Sequence, residues 1–288
     1  MAISFAIFGS YYFPQNSITN GIMIGMFLVL SAGIAHDSTH RCCSSNKLIN
    51  EVVYWLNGNV FLGVGGRSFR EDHLGHHGYI LTFDKETGSL DRQNNEPTWV
   101  QNNRAFHLYQ QFYYPYVFWV QGILILPLTM LFAKNALSIA TVINERNLLQ
   151  IMGVIFHWCW LLTLVNMSEN PYLTYLALNL YQGTLGWQFL ANHILKSWKE
   201  VEEFAEQNFF ERQIEACLNF KSSPWQDWYF VGINFHSEHH AMNKMPRQNL
   251  RFMSEDLRYL CRKHNLEYDQ EYFSYTLVRL VKHIHRLG

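Results

Sequence analysis

The chain has 288 residues, a formal net charge of −1, and only 16% charged residues, matched by 16% aromatics. The balanced charge offers nothing to attract nucleic acid. Five cysteines, odd in number and without a CxxC pair, argue against a zinc ribbon or a disulfide framework. Charge this sparse, in a chain long enough for one large domain, leans toward a membrane protein.

Residues 1–36 carry no Lys, Arg, Asp or Glu. Their start lacks the basic, apolar and small-residue pattern of a signal peptide. Ala2–Phe13 is apolar but short, either a buried helix or, the preferred reading, the first leg of a tight hairpin that turns at Pro14-Gln15-Asn16. Ile18–Ala35 is uncharged over about one bilayer thickness and ends on the pair His36 and His40. Lys47–Gly66 is apolar but interrupted by Lys47, Glu51, Asn57 and Asn59, which predicts an interfacial or half-buried helix. Glu71–His77 follows and carries three histidines. Thr82–Arg104 is the longest plainly aqueous loop, either a contact surface for a soluble partner or a simple solvated segment.

Phe112–Phe132 is apolar and aromatic but broken by Pro115 and Pro127. Leu148–Val165 and Tyr172–Ala191 are two uncharged stretches joined by Met167-Ser168-Glu169-Asn170-Pro171, which reads as a turn between antiparallel spans. From Lys196 onward the chain is charged, with amphipathic helices expected over Val201–Phe220, Ser254–His264 and Glu271–Arg286. His157, inside an uncharged stretch, is best read as neutral and hydrogen-bonded to a neighbouring helix, although ionisable groups at such depth are often functional.

Three histidine clusters organise the chain: His36 and His40; His73, His76 and His77; and His236, His239 and His240. They hold eight of its fourteen histidines. Positions i, i+3 and i+4 share a helix face, so each cluster converges on one side. Adjacent histidines such as His76 and His77 stand about 100° apart around the axis, so one helix can serve two neighbouring ions. With His193 at the end of a span, the imidazoles suffice for two ions. Imidazole suits iron, zinc, copper and nickel alike. HExxH, GxSxG, Walker and GxGxxG patterns are absent, which disfavours the corresponding hydrolases and nucleotide sites.

If the clusters share one site they lie on one side of the bilayer. Lys47–Gly66 then cannot cross once, and Phe112–Phe132 is either non-crossing or a re-entrant pair. Four crossings in two hairpins satisfy this parity. Arg41, Lys47, Arg67, Arg70, Lys196 and Lys199 flank the histidine side, which the positive-inside rule places in the cytoplasm.

The motifs HDSTH, HLGHH and HSEHH, in this order and divided by a long apolar region, resemble the three histidine boxes of the membrane fatty acid desaturase and hydroxylase superfamily. The resemblance runs from about Ala35 to Leu287, and includes Pro246, Asn249-Leu250 and the tail Leu260–Tyr268. It implies an all-α, multi-pass membrane fold of about four transmembrane helices in two hairpins, capped by a cytosolic helical bundle. It also implies one domain over 1–288: a first hairpin (1–36), boxes one and two (37–111), an apolar region with the second hairpin (112–192), and a cap with box three (193–288).

The ligands it implies for a non-haem di-iron centre are His36, His40, His73, His76, His77, His236, His239 and His240, with His193 as a ninth. In acyl-CoA desaturases an Asn four residues before that ninth histidine assists one iron through water. Here Phe189 stands there, so the role is absent or falls to Gln188 or Asn192. Box three opens with His236 rather than Gln, unlike typical front-end desaturases. Asp37, and less so Glu238 and Asp72, are read as orienting imidazoles from outside the ligand set, against the alternative of ordinary solvated or salt-bridged carboxylates.

The implied chemistry is reductive activation of dioxygen and removal of hydrogen from an unactivated methylene. It ends in an alkene or, in a hydroxylase or ketolase acting on acyl chains or carotenoids, in an oxygenated product. Electrons are expected from a separate ferredoxin or cytochrome b-type protein, since no haem or ferredoxin-like cysteine pattern is present. A membrane metal-binding or transport protein is the reading from another class. It predicts ionisable ligands inside the spans, whereas the boxes fall at or beyond the span ends.

Overall fold

The computed structural model describes residues 16–82, 147–193, 195–197, 199 and 201–287. The expected segments Ala2–Phe13 and Phe112–Phe132, and nearly all of Thr82–Arg104, lie outside these residues. The described chain is mostly helical and divides into two compact units, one holding 16–70 and 147–186, the other 71–82 and 187–287.

In the first unit, α1 (Ser17–Thr39) opens where the Asn16 side chain accepts from the Thr19 amide, satisfying one of the amides that a helix start leaves unpaired. Among the described residues, α1 and α4 (Leu148–Asn166) are the two helices long and apolar enough to cross a membrane. Ile155, Phe156 and Leu162 on α4 are exposed, an arrangement that suits hydrocarbon rather than water. α5 (Pro171–His193) has the length of a span but is less apolar. It starts at Pro171, the last residue of the turn predicted over 167–171.

Small residues let α1 approach the first part of α5. A Cβ on Gly21 would collide with the Thr174 carbonyl oxygen, and one on Gly25 would lie 2.9 Å from that of Leu178. Ile24, Phe27, Leu28, Leu161, Val165 and Leu178 form the core there.

The segment predicted over Lys47–Gly66 is α2 (Lys47–Tyr54), which continues as a π-helix over Trp55–Leu62 and ends at Gly63 with φ +71°. The wider turn presents carbonyls that side chains of α4 satisfy: Trp160 Nε1 donates to Val60 O (2.7 Å) and His157 Nδ1 to Phe61 O (2.6 Å). His157 is thus hydrogen-bonded to a neighbouring helix, as its sequence context predicted. α3 (Gly66–Gly78) carries box two.

In the second unit the helix expected over Val201–Phe220 is broken into α6 (Val201–Glu206) and α7 (Phe209–Glu215). Asn208 starts the second by accepting from the Glu211 amide at 2.9 Å, a local bond that outcompetes a continuous helix. The chain then extends as β1 (Asn219–Phe220), which pairs in parallel with β2 (Gln270–Glu271). The two segments are only two residues long each, so the fold stays mostly helical, as expected; what departs from expectation is the end of the helix predicted over Val201–Phe220. Beyond β1 come a short α8 (Asp227–Phe230), α9 (His236–Ala241) with box three, α10 (Leu250–Lys263) and α11 (Phe273–Leu287). The last two match the predicted amphipathic helices to within a few residues. Ile214, Leu257 and Cys261 pack together and fix α7 against α10.

Candidate metal centre

Box one closes α1. His36 and His40 lie one turn apart with ring centroids 4.9 Å from each other, and the Asp37 carboxylate stands 3.7 Å from His36 Nδ1, too far for a hydrogen bond. Both histidines belong to the first unit.

The second unit gathers the other seven predicted histidines, and it sorts them into two groups. His73, His77 and His239 each offer one ring nitrogen, all within 4.8 Å of one another; so do His76, His193, His236 and His240. Helical spacing produces the sorting. In box two the i, i+4 pair His73 and His77 faces one group while His76 faces the other. In box three the i, i+4 pair His236 and His240 serves the second group and His239 the first. The groups adjoin, with the rings of His77 and His240 4.2 Å apart.

Electrostatics favour neutral rings. Burial and then the neighbouring His76 hold His193 down to about 3, and burial followed by His77, His236, His193 and His76 holds His240 well below the ordinary histidine range. These rings therefore present lone pairs rather than charge. His193 Nδ1 donates to the Ala216 carbonyl at 2.8 Å, which leaves the lone pair on Nε2, 2.7 Å from His236 Nε2. His236 Nε2 also lies 3.2 Å from His240 Nε2, and His77 Nε2 lies 3.2 and 3.1 Å from those of His73 and His239. Nitrogen atoms gathered this closely could hold a cation between them, and neutral imidazoles suit transition metals. The donor set fits iron.

A pH dependence follows. Protonation favours the unfolded chain wherever the folded pKa is depressed, so the metal-free protein is fully stable above the ordinary histidine value of 6.5 and loses stability as pH falls toward 3. Thermal unfolding of metal-free protein in detergent at stepped pH is expected to show a falling midpoint across that window. A midpoint unchanged between pH 7 and 4 would contradict neutral, buried imidazoles.

The supporting residues are only partly those expected. Glu238 is 1% exposed, but its bonds avoid the imidazoles. Oε1 accepts from Ser254 Oγ and Tyr268 OH (both 2.6 Å), and Oε2 from Asn219 Nδ2 (2.8 Å). The Asn219 side-chain oxygen in turn accepts from the Ser237 amide at 2.8 Å, so box three is tied at two successive residues, by the backbone of Ser237 and the side chain of Glu238. Burial and then Glu238 push the Tyr268 hydroxyl up to about 12, which keeps it a donor. Asn192 is fully buried and donates to the carbonyls of Leu218 (2.5 Å) and Ile233 (3.3 Å), beside the histidines but bonded to backbone. Gln188 is fully buried as well, with neither side-chain polar atom hydrogen-bonded.

Sequence reasoning passed over Gln213. Fully buried on α7, it donates from Nε2 to the His77 carbonyl (2.9 Å) and meets His240 Nδ1 through Oε1 (2.8 Å). It lies in no box, and no local pattern marks it.

Comparison with known proteins places these features in context. A family model described as fatty acid desaturase matches residues 17–272. The chain is 28% identical to a Delta(8)-fatty-acid desaturase from Borago officinalis, over 86% of this chain and 59% of that protein. It is 27% identical to an acyl-lipid (9-3)-desaturase from the same plant, over 88% and 60%. Against fatty acid desaturase 3 of Homo sapiens it is 29% identical over 51% and 36%. The chain thus spans about three-fifths of the length of the plant relatives. No solved structure matches it.

Proposed function

The chain belongs to the fatty acid desaturase family, and from that premise we propose that it is an oxygen-dependent membrane desaturase of lipid acyl chains that holds two irons. The observation that carries this reading is the sorting of seven imidazoles, four of them buried, into adjoining groups of three and four. The names of the plant relatives, a Delta(8)-fatty-acid desaturase and an acyl-lipid (9-3)-desaturase, support a lipid acyl chain as substrate.

In this reading His76, His193, His236 and His240 hold one iron. His73, His77 and His239 hold the other, with His36 and His40 completing it by their match to the first family box. Bound irons supply the activation of dioxygen that attack on an unactivated methylene requires. The protein's residues bind and orient: the Ala216 carbonyl sets the His193 ring, and the Glu238 network holds the box-three helix. Gln188, with both side-chain polar atoms unbonded, and the side-chain oxygen of Asn192 are the candidates to hold a water. Asn192 serves by holding the backbone beside His193, and Asp37 by its negative charge near His36.

The chain works as one membrane domain with four crossings in two hairpins and its histidines on the cytoplasmic side. The uncharged α1 and α4 and the basic flanks at Arg41, Lys47, Lys196 and Lys199 support that topology. A separate electron-transfer protein, a ferredoxin or a cytochrome b-type carrier, delivers the reducing equivalents.

The test is expression of the full chain in a host with a matching donor, followed by analysis of total fatty acids and double-bond positions. A new unsaturated species, absent with a His236→Ala variant, is the expected result. Hydroxylated chains in its place would move the assignment to the hydroxylases. An unchanged lipid profile from cells containing iron-loaded protein would overturn it.

A further inference from the structure

The geometry points to Gln213 as a positioning residue that fixes which nitrogen of His240 faces the metal, an inference that rests on the metal-binding reading above. Donor and acceptor roles alone decide it. A backbone carbonyl accepts and never donates, so the side-chain atom of Gln213 that meets the His77 carbonyl at 2.9 Å is its NH2 group. The amide oxygen therefore faces His240 Nδ1 at 2.8 Å, and that nitrogen must carry the proton. The lone pair of His240 is left on Nε2, which points to His236 Nε2 at 3.2 Å. The tautomer follows from one amide whose orientation is itself dictated.

Gln213 is also placed to do this rigidly. It is fully buried, out of reach of bulk solvent. Its neighbour Ile214 is anchored in the core with Leu257 and Cys261, and Asn208 caps the helix at its start. Three residues on, the Ala216 carbonyl accepts from His193 Nδ1. One turn of chain from 213 to 216 thus presets Nε2 on two of the four histidines in the same group. The other half of the Gln213 amide, bonded to His77, ties box two to box three. None of this is encoded within the boxes. A neutral amide, rather than a carboxylate, accomplishes it without adding charge.

The experiment uses the full chain, stripped of metal in detergent and titrated with Co(II) alone under a competing chelator, with visible absorption as the second readout. Wild type is expected to take up two Co(II) ions; fewer would defeat the metal-binding reading itself, independently of Gln213. Gln213→Met has a similar shape but neither bond, and it is expected to weaken one of the two ions about 10–100-fold and change that ion's ligand-field bands alone. Gln213→Glu keeps an acceptor for Nδ1–H. It is expected to recover affinity to within a few fold of wild type while shifting the bands of that same ion, because a carboxylate makes the ring a stronger donor to metal.

Equal affinity and identical spectra in Gln213→Met and wild type would overturn the inference. A lower unfolding temperature with both Co(II) sites unaltered would do the same, since that marks a merely structural tie. If Gln213→Met does not fold, the bands of Gln213→Glu decide: a shift confined to one ion supports the positioning role, and no shift overturns it.

Discussion

Replacing His76 and His239 together by alanine is expected to take the purified protein from about two bound irons per chain to almost none. The pair is chosen because each residue belongs to a different group, His76 to the four and His239 to the three. Protein purified without oxygen and analysed for elements gives the content directly. Each single variant is expected to lose about one iron and to retain the other. On the proposed reading, in which the two irons would together activate dioxygen, acyl desaturation should fall to background in all three. Retention of two irons by the double variant would contradict the grouping. A single zinc in the wild type would move the binding or transport reading to the front.

The second large effect is on stability. Glu238→Ala removes the acceptor for Ser254 Oγ, Tyr268 OH and Asn219 Nδ2, all in a region where Glu238 itself is 1% exposed. Buried donors left without a partner cost about 1–3 kcal/mol each, partly offset here because Asn219 Nδ2 keeps the Tyr268 hydroxyl at 2.7 Å. A net loss of about 3–5 kcal/mol follows, a large share of the stability of an ordinary domain. Glu238→Gln keeps one acceptor oxygen and is expected to lose roughly half as much. Thermal unfolding of the metal-free protein separates this effect from any change in metal affinity. If Glu238→Ala and wild type unfold within a degree of each other, the network is not what holds box three in place. The alanine variant is also expected to bind metal poorly, but only as a consequence.

Both expectations concern residues inside the boxes, yet they were legible to different degrees. The spacing HxxHH states by itself that neighbouring histidines diverge by about 100° and can serve two sites. His76 and His77, and likewise His239 and His240, do fall in different groups. Helix periodicity is a local property, so it survives translation from sequence to structure. The same holds for Ile18–Ala35, Leu148–Val165 and Tyr172–Ala191, whose uncharged runs each became one helix. His157 was also readable, because an ionisable side chain inside an apolar helix must find a partner.

What failed was a matter of competition between local preferences. Val201–Phe220 carries an amphipathic pattern throughout, but Asn208 offers its side chain to a backbone amide and restarts the helix. Past Ala216 the pairing of Asn219 with Gln270, remote in sequence, draws the chain into an extended form.

The sequence by itself determined the ligand inventory, the helical placement of the boxes and the apolar helices, because each depends on residues no more than a few positions apart. Only the tertiary structure decided that His193 joins His76, His236 and His240, that Glu238 turns toward Ser254 and Tyr268, and that Gln213 sets the His240 ring. Each of those joins residues separated by between 16 and 117 positions. A hydrogen bond between such partners exists only once the intervening chain has closed, and no local pattern records which buried donor will meet which acceptor.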